Sequence, residues 1–145
     1  MKKENPHTLF DSFSGWFRET RSDVQSEHVY FKAPNLTPEG GKPLILSEYG
    51  GFSHKVAEHF LATKGNWGYG SYKTREELEE GILSLLEKVE EELPKGLCAA
   101  ILTQVSDVED EINGLMTYDR EVVKVDPVRM RAIARQLTSA MAAIE

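Results

Sequence analysis

The residues best suited to chemistry stand directly after short apolar runs. Glu48 follows the run at positions 43–47, and two glycines come after it at positions 50 and 51. His28 and Tyr30 end an earlier β-like segment, and Gln104 follows a third. Because the carboxyl ends of parallel strands meet at one edge of a sheet, we expect these side chains to converge. A carboxylate surrounded by Tyr, His and Gln suits a sugar-binding, carboxylate-driven site. A helix cap or an ion pair is the alternative role for Glu48.

Three strands and three helices are predicted to position these residues. The segments near 24–31, 43–48 and 97–103 are rich in Val, Ile, Leu and aromatic residues, which predicts strands. Thr74, with Glu77 three residues later, forms a capping-box pattern and predicts a helix over 74–93. Asp126 followed by Pro127 predicts the start of a helix over 127–143. A shorter helix is expected over 53–63.

The order of these elements predicts an α/β fold with parallel strands. Repeats and low-complexity runs are lacking, so residues 1–145 are expected to form one domain. The helices are expected on the outer side of the sheet. The inner face is expected to be an apolar surface formed by Leu44, Leu46, Ala99 and Ile101.

Composition limits the classes of partner. The 145 residues are 40% hydrophobic and carry a formal net charge of −7, with a pI near 5.2. That charge opposes nonspecific binding to nucleic acid or anionic lipid. The chain has one cysteine, Cys98, no long apolar stretch and no signal-peptide pattern. We therefore predict no membrane segment and a cytoplasmic location.

Three other motifs predict no site. The acidic pattern at 109–114 resembles the start of an EF-hand loop, but its twelfth position is Arg120 instead of a bidentate Glu. His54 and His59 are five residues apart and would not share a helix face. Cys98 lies in an apolar run and is expected to pack as a small hydrophobic residue. We predict neither a metal nor a cofactor.

Several segments together resemble the catalytic barrel of glycoside hydrolase family 2, which contains β-galactosidases, β-glucuronidases and β-mannosidases. The segments that carry the resemblance are residues 14–16, 27–30, 43–51, 68–70, 96–109 and 111–120. The resemblance implies that the three strands are the sixth, seventh and eighth of a (β/α)8 barrel. The chain would then be the C-terminal part of a partial TIM barrel, its last three βα units.

The resemblance also implies a retaining mechanism in which Glu48 is the nucleophile. Tyr30 is the expected hydrogen-bond donor to that carboxylate. The residues predicted to contact the carbohydrate substrate are His28, Tyr30, Tyr49, Gln104, Asp107 and Trp67. Thr103 stands where well-known relatives often have a tryptophan as the floor of the sugar site, so Trp16 or Trp67 is the alternative platform.

The family's acid/base residue is the Glu of an Asn-Glu pair on the fourth strand, and this chain contains no Asn-Glu pair. A complete barrel needs about 250 residues. We therefore expect the chain to be catalytically inactive alone, and to associate with the rest of a barrel or with copies of itself. The alternative is a noncatalytic carbohydrate-binding or self-assembling module derived from such a barrel.

Overall fold

The computed structural model describes residues 4–17, 21–61 and 71–144. Three strands form one sheet in the order β1 (Gln25–Tyr30), β2 (Leu44–Gly50) and β3 (Leu97–Thr103). Both neighbouring pairs are parallel. Two α-helices follow the second and third strands, α1 (Arg75–Glu90) and α2 (Pro127–Ala142). The predicted α/β class, the parallel pairing of the strands and both long helices are confirmed.

The helix ends form as their sequences indicate. The Thr74 side chain accepts a hydrogen bond from the Glu77 amide, and the Glu77 side chain accepts from the Thr74 amide. The Asp126 side chain accepts from the Val128 amide at the start of α2. These bonds satisfy amides that the first helical turn leaves without a partner. Neither helix of the described ranges has the length and apolarity needed to cross a bilayer.

The hydrophobic core lies between one face of the sheet and the helices. Six residues of α1 are buried in it, whereas α2 contributes Ile133 as its fully buried member. Leu44 and Leu46 also belong to this core. The prediction that these two leucines would line an uncovered inner face is therefore wrong. Continuous apolarity in a strand does not reveal which residues face the helices.

The third strand is poorly covered. Cys98, Ala99 and Ala100 are exposed, and Ile101 is 59% exposed. Ala99 and Ile101 are exposed, as expected, but Ala99 lines a groove with Leu93 and Leu137 and so does not lie on an inner face away from the helices. The expectation that Cys98 is packed is wrong, because β3 pairs with β2 alone among the described strands and lies at the edge of the sheet.

The helix predicted over 53–63 does not form between residues 53 and 61, the part of it that the structure describes. The backbone there bonds to distant segments instead. The Ser53 carbonyl accepts from the Tyr72 amide at 2.8 Å, and the His54 amide donates to the Ile112 carbonyl at 3.3 Å. Long-range hydrogen bonds have replaced the local ones that a helix requires.

Candidate functional site

A cluster of polar and aromatic side chains lies at the carboxyl ends of the three strands. Glu48 is at its centre and is contributed by β2. The Tyr30 hydroxyl, from β1, donates a short hydrogen bond to Glu48 Oε2. His28 Nδ1 lies 3.7 Å from the same oxygen. The predicted placement of Glu48 beside Tyr30 and His28 is confirmed.

An irregularity in β2 aims Glu48 into this cluster. Glu27 pairs with Leu46, but the next residue, His28, pairs with Glu48, so Ser47 is an extra residue in the register. The pairing with β3 shifts over the same residues. Strict alternation would place Glu48 on the same face as Leu46. The extra residue reverses the phase, as β-bulges beside functional sites commonly do.

The same irregularity removes Tyr49 from the predicted site. Tyr49 is buried in the core with Leu44 and Leu46, on the face opposite Glu48. Burial raises the pKa of its hydroxyl to about 12. The ring of Tyr49 therefore packs in the core and is not part of the Glu48 cluster, and the predicted contact of Tyr49 with substrate stays a prediction.

Tyr30 is a stable proton donor to Glu48. Burial raises the pKa of the Tyr30 hydroxyl to about 12, and the hydrogen bond to Glu48 also contributes to that increase. A hydrogen bond with Thr103, at the end of β3, acts in the opposite direction. At neutral pH the Tyr30 hydroxyl therefore keeps its proton and can hold the carboxylate of Glu48 in place.

His28 and Trp16 complete the described part of the cluster. The His28 side chain is 2% exposed, whereas that of Glu48 is 41% exposed. The Trp16 ring centroid lies 5.1 Å from that of His28, edge to face, and 6.3 Å from that of Tyr30, nearly parallel. Trp16, one of the two platform candidates that the sequence offered, therefore lies against the rings of His28 and Tyr30. Trp67, the other candidate, lies outside the described residues.

Gln104 and Asp107 have other partners. Gln104 Nε2 donates to Asn113 Oδ1 at 2.8 Å and to Glu111 Oε2 at 3.0 Å. Asp107 is buried and accepts hydrogen bonds from Lys124 Nζ at 2.7 Å and from the Gly114 amide at 2.8 Å. The carboxylate of Asp107 is thus enclosed in an ion pair away from the Glu48 cluster, and its predicted role in substrate binding stays a prediction.

Sequence reasoning missed two residues near this end of the sheet. Glu111 Oε2 accepts a hydrogen bond from Gln104 Nε2 at 3.0 Å, so a second carboxylate lies beside a residue that the sequence assigned to the site. Lys124 is fully buried. A lysine among three valines, at positions 122, 123 and 125, is a sequence signal for such burial. No signal in the sequence indicates where the loop carries Glu111.

One group of side chains in the described ranges has donor atoms close enough together to bind a metal ion. Donor atoms of His59, Asp119 and Glu121 lie within 4.8 Å of one another. His59 Nδ1 and Asp119 Oδ2 form an ion pair at 2.7 Å, and Asp119 Oδ1 accepts from the Thr117 hydroxyl and the Glu121 amide. The ion pair and the turn account for this geometry, so we assign no metal to it.

The ion pair between His59 and Asp119 predicts how its contribution to stability depends on pH. The hydrogen bond between His59 and Asp119 raises the pKa of His59. The pKa of Asp119 is lowered to about 2, mainly by the hydrogen bond that its carboxylate accepts from the Thr117 hydroxyl. The stabilisation due to His59 is complete below its unfolded pKa, near 6.5, and disappears as the pH rises through the folded pKa. That due to Asp119 is complete above its unfolded pKa, near 3.8, and disappears as the pH falls through about 2. The pair should therefore be strongest at mildly acidic pH.

We expect an NMR titration of the imidazole protons to give a His59 pKa above that of a model histidine. Asp119→Asn should remove most of this elevation. Glu58→Gln is the matched control, because the charge of Glu58 raises the pKa of His59 less than Asp119 does. An unchanged His59 pKa in Asp119→Asn would show that the ion pair does not form in solution.

The sequence matches no model of a known protein family, and no curated protein is significantly similar to it. The function of this chain is therefore inferred from the geometry of this site and from the residues that form it.

Proposed function

We propose that this chain is the C-terminal part of a retaining β-glycosidase barrel of the family 2 type, with Glu48 as the nucleophile. The hydrogen bond from the Tyr30 hydroxyl to Glu48 is the observation that carries the proposal. It supports this role because a nucleophilic carboxylate must be held in one orientation while it stays accessible. Glu48 combines that contact with a half-exposed side chain at the carboxyl edge of a parallel sheet.

In the proposed reaction, a carboxylate oxygen of Glu48 attacks the anomeric carbon of a β-glycoside. The C–O bond to the leaving group breaks as the bond to Glu48 forms, and a general acid protonates the leaving oxygen. Water then releases the sugar with retained configuration. Tyr30 keeps its proton throughout and orients the carboxylate of Glu48. The general acid would come from a strand that precedes this segment, so we propose that the chain alone does not hydrolyse glycosides.

Uncovered surfaces support the partial-barrel origin. β1 and β3 each have one edge without a partner strand in the described chain. Along α2, Val128 is 72% exposed, and Met141 and Ile144 are also exposed. A complete barrel would pair both edges and would pack a further helix beside α2. We propose that these surfaces pack against the rest of a barrel. Where that part is absent, they pack against a second copy of the chain.

The covalent intermediate provides the test of this function. The chain should be combined with a separately produced first part of such a barrel and treated with 2,4-dinitrophenyl 2-deoxy-2-fluoro-β-glycosides. The activated leaving group needs no acid, and the fluorine slows release of the sugar from the enzyme. Intact-mass and peptide mass spectrometry should find one adduct, on Glu48. Labelling of the Glu48→Gln variant at another residue would contradict the assignment.

Self-association of the isolated chain is a second expected result. Burying a side chain such as Ile101 contributes about 1.5–3 kcal/mol, so an uncovered β3 favours dimers or larger assemblies. Sedimentation velocity should show them at micromolar concentration. Ile101→Lys should raise the dissociation constant at least about tenfold. Val108→Lys is the control, because Val108 is exposed and lies outside the three strands. A compact monomer for the unmodified chain would refute this expectation.

A noncatalytic carbohydrate-binding or self-assembling module is the alternative function. The exposed Trp16 ring beside the Glu48 cluster favours it, because a flat exposed aromatic surface can bind a sugar without any reaction. For either function we propose a cytoplasmic location, supported by a sequence with a single cysteine.

A further inference from the structure

A groove lies between the third strand and the second helix, and we call it the β3–α2 groove. Three buried core residues line its base: Tyr49, Val89 and Leu93. Ala99 and Ala100 of β3 form one side, and the C-terminal part of α2 forms the other with Leu137, Thr138, Met141 and Ala142. The groove has a volume of about 470 Å³, which is in the range of binding sites for small molecules.

Tyr49 brings a hydrogen-bond donor to this groove. The residue is 3% exposed, and among the residues that the structure describes its hydroxyl makes no hydrogen bond. Burial raises the pKa of the hydroxyl to about 12, so the group keeps its proton at neutral pH. Buried polar groups in native proteins nearly always have a partner, and an unpaired one is costly. An acceptor bound in the groove supplies that partner.

The remaining lining restricts the charge of a ligand. Among the described residues that line the groove, none carries a charge. The other polar side chain there is Thr138, whose hydroxyl donates to the Ala134 carbonyl at 2.9 Å. A charged ligand would be buried without a counter-charge, which is costly. A neutral molecule with an apolar body and one oxygen acceptor matches this surface.

A protein segment matches the groove less well than a small molecule does. A helix is about 10–12 Å across with its side chains, so a groove of this volume holds about one turn of it. An extended segment brings backbone N–H and C=O groups that need partners when they are buried. The side chains of the groove offer one free donor, the Tyr49 hydroxyl, which is enough for a single carbonyl group.

We propose that the β3–α2 groove binds a small neutral molecule that has an apolar body and a carbonyl group. The carbonyl oxygen accepts a hydrogen bond from the Tyr49 hydroxyl, and the apolar body packs against Leu93 and Leu137. The extra residue at Ser47 turns Tyr49 away from Glu48, so the groove and the Glu48 cluster lie on opposite faces of the sheet. The inference therefore does not depend on the proposed nucleophile.

Fluorescence titration of the isolated chain into a dilute solution of 6-propionyl-2-(dimethylamino)naphthalene tests the proposal. This probe is neutral, has a ketone on an apolar ring system, and emits at shorter wavelength when it leaves water. The matched probe is 2-(dimethylamino)-6-propylnaphthalene, which lacks the ketone oxygen. We expect the ketone probe to bind and its emission to move to shorter wavelength.

Two variants locate the bound probe. Tyr49→Phe should weaken binding of the ketone probe about fivefold, the usual effect of losing one hydrogen bond, and should leave binding of the propyl probe unchanged. Tyr72→Phe is its matched control, because Tyr72 packs against Phe52 and does not line the groove. Ala99→Leu should weaken binding of both probes at least about tenfold by filling the groove. Cys98→Leu is the control for that variant, because Cys98 is exposed on the same strand but does not line the groove.

Three results would overturn the proposal: no binding of the ketone probe, equal binding by Tyr49→Phe, or equal binding by Ala99→Leu. Stability gives a separate readout. An unpaired buried hydroxyl does not stabilise the fold, so Tyr49→Phe should not lower the free energy of unfolding in urea. A lower value would show that the hydroxyl has a partner within the chain, and would remove the donor on which the site depends.

The same titration distinguishes a small ligand from a second copy of the chain. Ile101→Lys is expected to weaken self-association, and Ile101 does not line the groove. Binding of the ketone probe should be equal in the unmodified chain and in this variant. Binding that is at least about tenfold weaker in the unmodified chain would assign the groove to a second copy and reject the small molecule.

Discussion

Replacing Glu48 by glutamine in a barrel completed with the missing strands is expected to lower kcat by several orders of magnitude. Glutamine has nearly the same shape, but its amide oxygen is a poor nucleophile and the covalent intermediate should not form. Rates with nitrophenyl β-glycosides, together with intact-mass spectra of the enzyme, measure both effects. Added azide or formate should restore part of the turnover, because these small anions can take the place of the carboxylate.

Tyr30→Phe is the control that separates attack from orientation. It removes the hydrogen bond to Glu48 and leaves the carboxylate in place. We expect a loss in kcat of about 10²-fold, which is typical for one hydrogen-bond donor in an active site. The covalent intermediate should still be detectable in this variant. Near-normal activity of Glu48→Gln would end the assignment of Glu48 as the nucleophile.

Lys124→Met is expected to destabilise the folded chain by about 3–5 kcal/mol. Lys124 and Asp107 are both buried, and Lys124 Nζ also donates to the Ile112 carbonyl at 3.1 Å. Burial raises the pKa of Asp107 and lowers that of Lys124, so each charge depends on the other. Removing the lysine leaves a carboxylate enclosed without its counter-charge. Urea unfolding followed by circular dichroism measures the loss.

Two further variants separate this effect from a general effect of losing a lysine. Adding Asp107→Asn to Lys124→Met should recover part of the stability, because the buried charge disappears and the Asn side chain can still accept from the Gly114 amide. Lys88→Met breaks an ion pair of the same length, 2.7 Å, but both of its partners are exposed. That variant should unfold like the unmodified chain. Equal losses for Lys88→Met and Lys124→Met would contradict the structural role of the buried pair.

The elements of the fold were predictable because their signals are local. The bonds between Thr74 and Glu77 and the cap at Asp126 involve residues two or three positions apart, so the sequence indicates them directly. The strands were recognisable as short apolar runs, and their alternation with helices implied parallel pairing. The helix expected over 53–63 failed where the structure describes it, because Ser53 and His54 bond to segments that no local pattern connects to them.

The sequence by itself determined the α/β class, the parallel pairing of the strands, both long helices and the placement of Glu48 beside Tyr30 and His28. Only the tertiary structure decided which face each residue occupies. The extra residue at Ser47 turns Glu48 away from Leu46 and turns Tyr49 into the core, and this shift arises from pairing with both neighbouring strands. The tertiary structure likewise pairs Asp107 with Lys124, a lysine 17 residues later in the chain. Local patterns set the type of each element. The face of the sheet that a residue occupies, and the partner that it contacts, depend on segments far apart in sequence.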